Sequence, residues 1–337
     1  MHILVTGGAG YIGGHTCIEL INSGHDVVVV DNYSNSMPEV LNRINEITGK
    51  SLEFYECDLL DMEKLDLVFD EYKIDAVIHF AGFKSVTESI ALPLLYYHNN
   101  ITGTINLCRS MVKNGVKNIV FSSSAVVYGQ GYKMPLKEDL PVGGCINPYG
   151  QTKFMIEQIL KDLYVSDNSW DITILRYFNP IGAHESGIMG ENPKGIPTNI
   201  MPVITRVANG NQPVFMIYGN DYDTPDGTAI RDYIHVVDLA RGHVKALEKQ
   251  KTRNGLQVYN LGTGKGSSVL ELLSVFENVN GIKLPVMYAP RRDGDIPVSY
   301  ASVDKAISEL NFVAEYDLKK MCEDAWRWQV MNPNGYN

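Results

Sequence analysis

Short, nearly continuous apolar runs alternate with longer amphipathic stretches through the first half of the chain. Ile3-Leu-Val-Thr6 and Val27-Val-Val-Val30 read as buried strands, and 52–57, 76–80, 118–122 and 171–175 repeat the pattern. Between the first two runs, residues 11–23 read as a helix. Strands that are apolar on both sides need cover on both sides, which predicts a parallel sheet with helices on its two faces. Right-handed crossovers then give an α/β, doubly wound (Rossmann) fold.

The texture changes after Asn179. Residues 180–230 are rich in Gly, Pro, Asn and Asp, with one helical stretch at 200–208. The segment 231–238 leads into a helix over 236–249, and 258–261 reads as a strand returning to the sheet. Beyond it come a helix at 268–278, Pro-rich loops and an amphipathic helix at 318–330. The expected division is a first domain of 1–178, rejoined by 234–262, and a smaller α/β lobe of 179–233 and 263–337.

Composition narrows the classes. The chain has 337 residues, 45% hydrophobic and 20% charged, as in an ordinary globular protein. Its net charge of -10, without a dense Lys/Arg run, excludes a phosphate-backbone footprint, so no nucleic acid partner is expected. No run of 18 apolar residues suggests a membrane span, and Met1-His-Ile-Leu already reads as a strand rather than a leader, so a cytoplasmic location is expected. Cys17, Cys57, Cys108, Cys145 and Cys322 are scattered, which predicts free thiols and no metal.

Gly7, Gly10 and Gly13 follow a strand and open a helix. There, glycines allow a tight turn and let backbone N–H groups approach a pyrophosphate. Asp31 ends the second strand, where a carboxylate binds a ribose diol, and no Arg or Lys follows it before Glu39. That favours NAD over its 2′-phosphorylated form. Asp58, after the third strand, is placed to reach the adenine. Tyr149 and Lys153 share a helical face at i and i+4. A nearby ammonium favours the phenolate, moving a phenol from about 10 toward working pH as a base for an alcohol proton.

Together, Thr6-Gly-Gly-Ala-Gly-Tyr-Ile-Gly13, His79-Phe-Ala-Gly-Phe-Lys84, Phe121-Ser-Ser-Ser124, Asn147-Pro-Tyr149-Gly-Gln-Thr-Lys153, Arg176-Tyr-Phe-Asn179 and Arg231-Asp-Tyr-Ile-His235 resemble the extended short-chain dehydrogenase/reductases. Within them they resemble the UDP-glucose/UDP-galactose 4-epimerase family, over nearly the whole chain. The resemblance implies 4-epimerisation of UDP-sugars through a 4-keto intermediate, with tightly bound NAD and a homodimer formed through helices at 100–114 and 150–165. It makes Tyr149 the base, Lys153 its cationic neighbour and Ser124 the hydrogen-bonding partner of the sugar. It implies cofactor contacts at Gly7, Gly10, Tyr11, Ile12, Gly13, Asp31, Asn32, Asn35, Ser36, Asp58, Leu59, Phe80, Ala81, Gly82, Lys84, Asn99, Ser122, Tyr149, Lys153 and Phe178. Substrate contacts are implied at Lys84, Ser124, Tyr149, Asn179, Asn199, Ile200, Tyr218, Arg231, Tyr233, Val269, Arg292, Asp295 and Ser299.

Two places in the chain discriminate among relatives. Sugar-nucleotide 4,6-dehydratases resemble each other in an Asp-Glu pair directly after the position of Ser124. Ala125 and Val126 stand there in this chain, and neither moves a proton. A net oxidoreductase and a non-enzymatic NAD-sensing protein are the other readings of this fold. At Ser299, epimerases restricted to glucose and galactose carry a tyrosine. The small serine predicts room for an acetamido group, hence turnover of UDP-GlcNAc and UDP-GalNAc too, provided Ser299 rather than Tyr300 faces the sugar.

Overall fold

The computed structural model describes every residue except Ile196, Arg253, Asn254, Asp293 and Asn337. The elements run β1 (His2–Thr6), α1 (Tyr11–Asn22), β2 (Asp26–Asp31), α2 (Glu39–Thr48), β3 (Glu53–Glu56), α3 (Met62–Glu71), β4 (Ala76–His79), α4 (Val86–Ala91), α5 (Pro93–Tyr96), α6 (Gly103–Lys113), β5 (Asn118–Ser124), α7 (Pro148–Ser166) and β6 (Asp171–Tyr177). They continue with β7 (Asn179–Ile181), α8 (Ile200–Ala208), β8 (Phe215–Tyr218), β9 (Ile230–Arg231), β10 (Tyr233–His235), α9 (Val236–Gln250), β11 (Leu256–Leu261), β12 (Ser267–Ser268), α10 (Val269–Asn280), β13 (Val286–Ala289), β14 (Val298–Ser299), α11 (Asp304–Leu310) and α12 (Leu318–Met331).

The main sheet has seven strands in the order β11-β6-β5-β4-β1-β2-β3, and β3 through β6 pair in parallel. Strand order reverses between β1 and β4, so their carboxyl ends open the crevice where doubly wound sheets take ligands. The backbone closes around that point: Phe80 N and Ala81 N both donate to the Thr6 carbonyl, at 3.0 and 3.1 Å.

The chain groups into two units. One comprises Met1–Gly129, Asp139–Tyr177 and Ala240–Tyr259; the other comprises Gln130–Glu138, Phe178–Leu239 and Asn260–Asn337. Residues 130–138, inside the range expected for the first domain, fall in the second unit. There Leu136 N donates to Tyr300 O and Leu136 O accepts from Ser302 N, at 2.9 and 2.7 Å. Residues 234–239 fall there too, because β10 pairs with β7.

Apolar alternation explains each core. In the first unit Leu4, Val28, Val77, Ile119 and Ile172 from the strands meet Leu65 of α3, Leu107 of α6 and Ile156 of α7. In the second, Ile204 of α8, Ile217 of β8, Leu272 and Phe276 of α10 and Met321 of α12 pack together. Each such side chain contributes roughly 1.5–3 kcal/mol when fully buried. Capping sets the start of α10 one residue later than the apolar pattern suggested. Ser268 Oγ accepts from Glu271 N at 3.0 Å, and Ser268 N donates back to Glu271 Oε2.

Other departures are local. The helix expected from residue 100 begins at Gly103, behind a π-helical turn, Tyr97–Thr102. Segments expected as loops contain β8 and β13, paired in parallel, as well as the short α11. Such short elements carry too few residues for a periodic signal. Among the described residues no helix is long and apolar enough to cross a membrane.

Candidate functional site

In the first unit the candidate residues gather at the carboxyl ends of the strands. Gly7 has φ +71°, and a Cβ there would lie 2.8 Å from Ala81 N. A Cβ at Gly13 would lie 2.2 Å from the Gly7 carbonyl oxygen, so both positions require glycine. Gly10 precedes α1 without any side-chain cap, leaving that helix start suited to an anion. Asp31 is buried and accepts from Ala9 N at 3.1 Å, Tyr33 N at 2.9 Å and Ser36 Oγ at 2.7 Å. Its carboxylate therefore pins the glycine loop to the loop that carries Asn32 and Asn35. Asp58 accepts from Asn32 Nδ2 and Leu60 N, both at 2.8 Å. This bare glycine cradle with an acid at the end of β2 fits a dinucleotide, and the acid suits a free ribose diol.

Phe80, Ala81, Gly82 and Lys84 form the loop after β4, and one side chain anchors it. Asn100 Oδ1 accepts from Phe83 N at 2.8 Å, and Asn100 Nδ2 donates to Phe83 O and Thr152 Oγ1 at 3.1 and 3.0 Å. Thr152 Oγ1 donates to Tyr149 O at 2.7 Å, so the anchor extends to the helix bearing Tyr149. Asn99 donates to Asn100 Oδ1 at 3.0 Å. Sequence spacing missed Asn100 because the π-turn that aims it inward has no periodic signature.

The chemistry-bearing set lies on β5 and α7. Asn147 caps α7, its Oδ1 accepting from Gly150 N at 2.8 Å, and Pro148 occupies the first helical turn. That start puts Tyr149 and Lys153 one turn apart. The Ser124 side chain is near enough to Tyr149 to act on its phenol. Lys153 is buried, donates to Ser122 O at 2.7 Å and stands 4.9 Å from the centre of the Phe121 ring. The expected direction of the Tyr149 shift is reversed. Burial pushes the phenol up to about 12, the neighbouring Ser124 opposing it only in part. The reason lies with Lys153: its ammonium is engaged by Ser122 O, and burial lowers its own pKa to about 8.

Beneath this set is a buried network that the sequence reading did not single out. Glu157, one turn beyond Lys153, accepts from Ser123 Oγ at 2.6 Å and from Arg176 Nε and Nη2 at 2.9 and 2.7 Å. Arg176 in turn covers the Tyr128 ring, 4.9 Å from its centre. The i, i+4 spacing from Lys153 was the available signal. Thr104 Oγ1 donates to Asn100 O, so His79 Nε2 donates to Thr104 and His79 Nδ1 accepts from Thr6. Burial holds this imidazole neutral, down to about 3.

In the second unit a cationic group forms around β8, β9 and the segment before β14. Arg292 pairs with Asp295 at 2.9 Å and lies 4.8 Å from the centre of the exposed Tyr218 ring. Arg231 Nη1 donates to Ile230 O at 2.9 Å, and burial lowers its pKa, with Asp295 and Arg292 among its charged neighbours. Ser299, buried, sits across from Arg231 in the parallel pair β14–β9. Val269 N donates to Ala229 O, next to the same strand. Asn179 faces Tyr233 in the β7–β10 pair, directly after the buried Phe178. Asn199 and Ile200 open α8, where Asn199 Nδ2 donates to Glu191 at 2.6 Å rather than to any of these residues. Tyr300 lies against Gly266, where a Cβ would be 3.3 Å from its ring.

All five cysteines are free thiols, four of them buried. Among the described residues no group of three or more His, Cys, Asp or Glu side chains could hold a metal ion.

A doubly wound sheet with a glycine cradle and a Ser–Tyr–Lys set at its strand ends defines a dinucleotide-dependent enzyme class. The chain belongs to the NAD dependent epimerase/dehydratase family, whose sequence profile matches residues 3–262. It is 60% identical over 336 residues to the UDP-glucose 4-epimerase of Bacillus subtilis, covering 100% of this chain and 99% of that one. It is 52% identical over 340 residues to the UDP-glucose 4-epimerase of Homo sapiens, covering 99% and 98%. The crystal structure of UDP-glucose 4-epimerase from Bifidobacterium longum, in complex with NAD+ and UDP, superposes with a TM-score of 0.97 at 52% identity, covering 99% of this chain and 100% of that one.

Proposed function

We propose that this chain is an NAD-dependent UDP-sugar 4-epimerase that interconverts UDP-glucose and UDP-galactose. The observation that carries the reading is Tyr149 one helical turn from a buried Lys153 and beside Ser124, at the strand ends of a sheet with a glycine cradle. The cradle, Asp31 and the loop from Phe80 to Lys84 would hold the cofactor. NAD, when bound, supplies a reversible hydride acceptor at the sugar C4. Tyr149 takes the proton of the 4-hydroxyl as the carbon is oxidised, and returns it to that oxygen once the 4-keto sugar has turned to offer its opposite face for return of the hydride. Ser124 orients that hydroxyl. Lys153, titrating near 8, is still mostly cationic at pH 7, and turning its ammonium from Ser122 O toward Tyr149 would favour the phenolate. Arg231 and Arg292 suit the diphosphate by charge-assisted hydrogen bonding, and Asp295 and Tyr218 suit the nucleoside.

Ala125 and Val126 start a short 3-10 turn directly after Ser124 and offer no acid or base for eliminating water, which favours epimerisation over dehydration. The buried, small Ser299, across from Arg231, supports acceptance of the N-acetyl sugars. Exposed Leu94 and Leu95 on α5, with Ile105 and Val112 on α6, support a homodimer joined near α6 and α7. The free thiols support action in a reducing compartment, the cytoplasm.

Tyr149→Phe tests the assignment. Epimerisation of UDP-galactose is expected to fall by about 10²–10⁴-fold while NAD, released by denaturation and quantified, stays at the wild-type ratio. Undiminished turnover in that variant contradicts the assignment.

A further inference from the structure

Within the second unit, Tyr222 is 4% exposed, yet its hydroxyl has no hydrogen-bond partner among the described residues. A buried, unpaired hydroxyl is a cost that folded proteins rarely retain without a compensating use. The surrounding backbone holds the ring firmly in place. Tyr222 N donates to Gly227 O at 3.0 Å, and Thr224 N donates to Tyr222 O at 2.8 Å. Gly219, at φ +82°, makes the space: a Cβ there would meet the Tyr222 ring at 2.5 Å. Arg291 covers the ring, 4.2 Å from its centre, and is tied by its Nε to Asp221 Oδ1 at 2.7 Å.

The charged groups acting on the phenol are Asp295, Arg231, Arg291 and Arg292. Each arginine is engaged locally: Arg231 with Ile230 O, Arg292 with Asp295, and Arg291 with Asp221. The phenol is thus a donor without an acceptor inside a cluster of three guanidinium groups and one carboxylate. An anion that draws Arg231 and Arg292 off these partners would bring oxygens into the same space. An oxygen of that anion is the acceptor the hydroxyl lacks.

We propose that Tyr222 is a ligand-binding residue whose hydroxyl donates to a phosphate oxygen of the UDP group, completing the set formed by Arg231 and Arg292. The inference rests on the proposed UDP-sugar reading and extends it by one residue. It carries a paired signature that a purely structural tyrosine lacks. Tyr222→Phe removes the unpaired hydroxyl and keeps the ring between Gly219 and Arg291. The ligand-free variant should therefore unfold at or above the wild-type temperature, while its affinity for UDP falls.

The test compares wild type and Tyr222→Phe by isothermal titration with UDP and with uridine, alongside thermal unfolding without ligand. The expected result is UDP affinity weaker by about tenfold (1.4 kcal/mol), uridine affinity unchanged, and an unfolding midpoint that is not lowered. Equal UDP affinity in the two proteins overturns the inference and leaves the epimerase reading standing. An equal loss for uridine and UDP also overturns it, because the contact is then not with phosphate. If wild type neither binds UDP nor epimerises UDP-galactose, the functional reading fails and takes the inference with it.

Discussion

The two units treat their polar groups differently. In the first, the candidate groups are already bonded: Asp31 accepts three hydrogen bonds, Lys153 is held by Ser122, and Asn100 joins the loop after β4 to α7. In the second, Arg292 is more than half exposed, Arg231 turns onto the carbonyl of its own neighbour, and the Tyr222 hydroxyl has no hydrogen-bond partner among the described residues. A prebonded site suits a group that stays through turnover and needs fixed geometry. A site with loosely engaged cations suits a ligand that arrives and leaves. A redox-neutral epimerisation needs both, since its cofactor ends each cycle in its starting form while its substrate exchanges.

The contrast can be broken first at Lys153. Lys153→Met should lower epimerisation by roughly 10²–10⁴-fold, and it carries a stability signature. Burial depresses the folded-state pKa of this lysine from 10.5 to about 8. A base depressed in this way costs stability at all pH values below its folded pKa, and the cost is relieved as pH rises toward the unfolded value. The cofactor-free variant should therefore be more stable than wild type at pH 7, by roughly 1–3 kcal/mol. That gap should close between about pH 8 and 10.5. Urea unfolding of both proteins across that range measures it, and a gap independent of pH would contradict the assignment of the cost to the buried charge.

The next effect concerns the second unit alone. Ser299→Tyr should lower turnover of UDP-GalNAc by about a hundredfold and leave UDP-galactose within a fewfold of wild type. Unchanged N-acetyl turnover, measured by anomeric proton resonances, would show that Ser299 does not border the acetamido group. The smallest expected effect is the tenfold loss of UDP affinity in Tyr222→Phe. It sharpens the comparison most, because it asks whether an uncommitted donor in the second unit finds its acceptor in the ligand.

The first unit was also the more legible in sequence. Its strands are fully buried apolar runs, and its chemistry follows from local spacing: three glycines, an acid at a strand end, and Tyr149 four residues before Lys153. What escaped were side chains positioned by irregular backbone. Asn100 depends on a π-turn, and His79 on hydroxyls from β1 and α6. The protonation of Tyr149 escaped as well, because i, i+4 spacing places Lys153 on the same face without saying which acceptor its ammonium will choose. In the second unit the motif residues could be named by resemblance, but β8, β13 and β14 are two to four residues long and leave almost no pattern. Tyr222 could not have been singled out, since what marks it is the absence of a partner, which only the packed structure displays.

The most direct measurement follows the anomeric protons of UDP-galactose by NMR after addition of the purified protein, with no NAD supplied. The account predicts conversion to the UDP-glucose equilibrium mixture by cofactor retained from expression, with no NADH released to solution. No conversion, either before or after NAD is added, would contradict it.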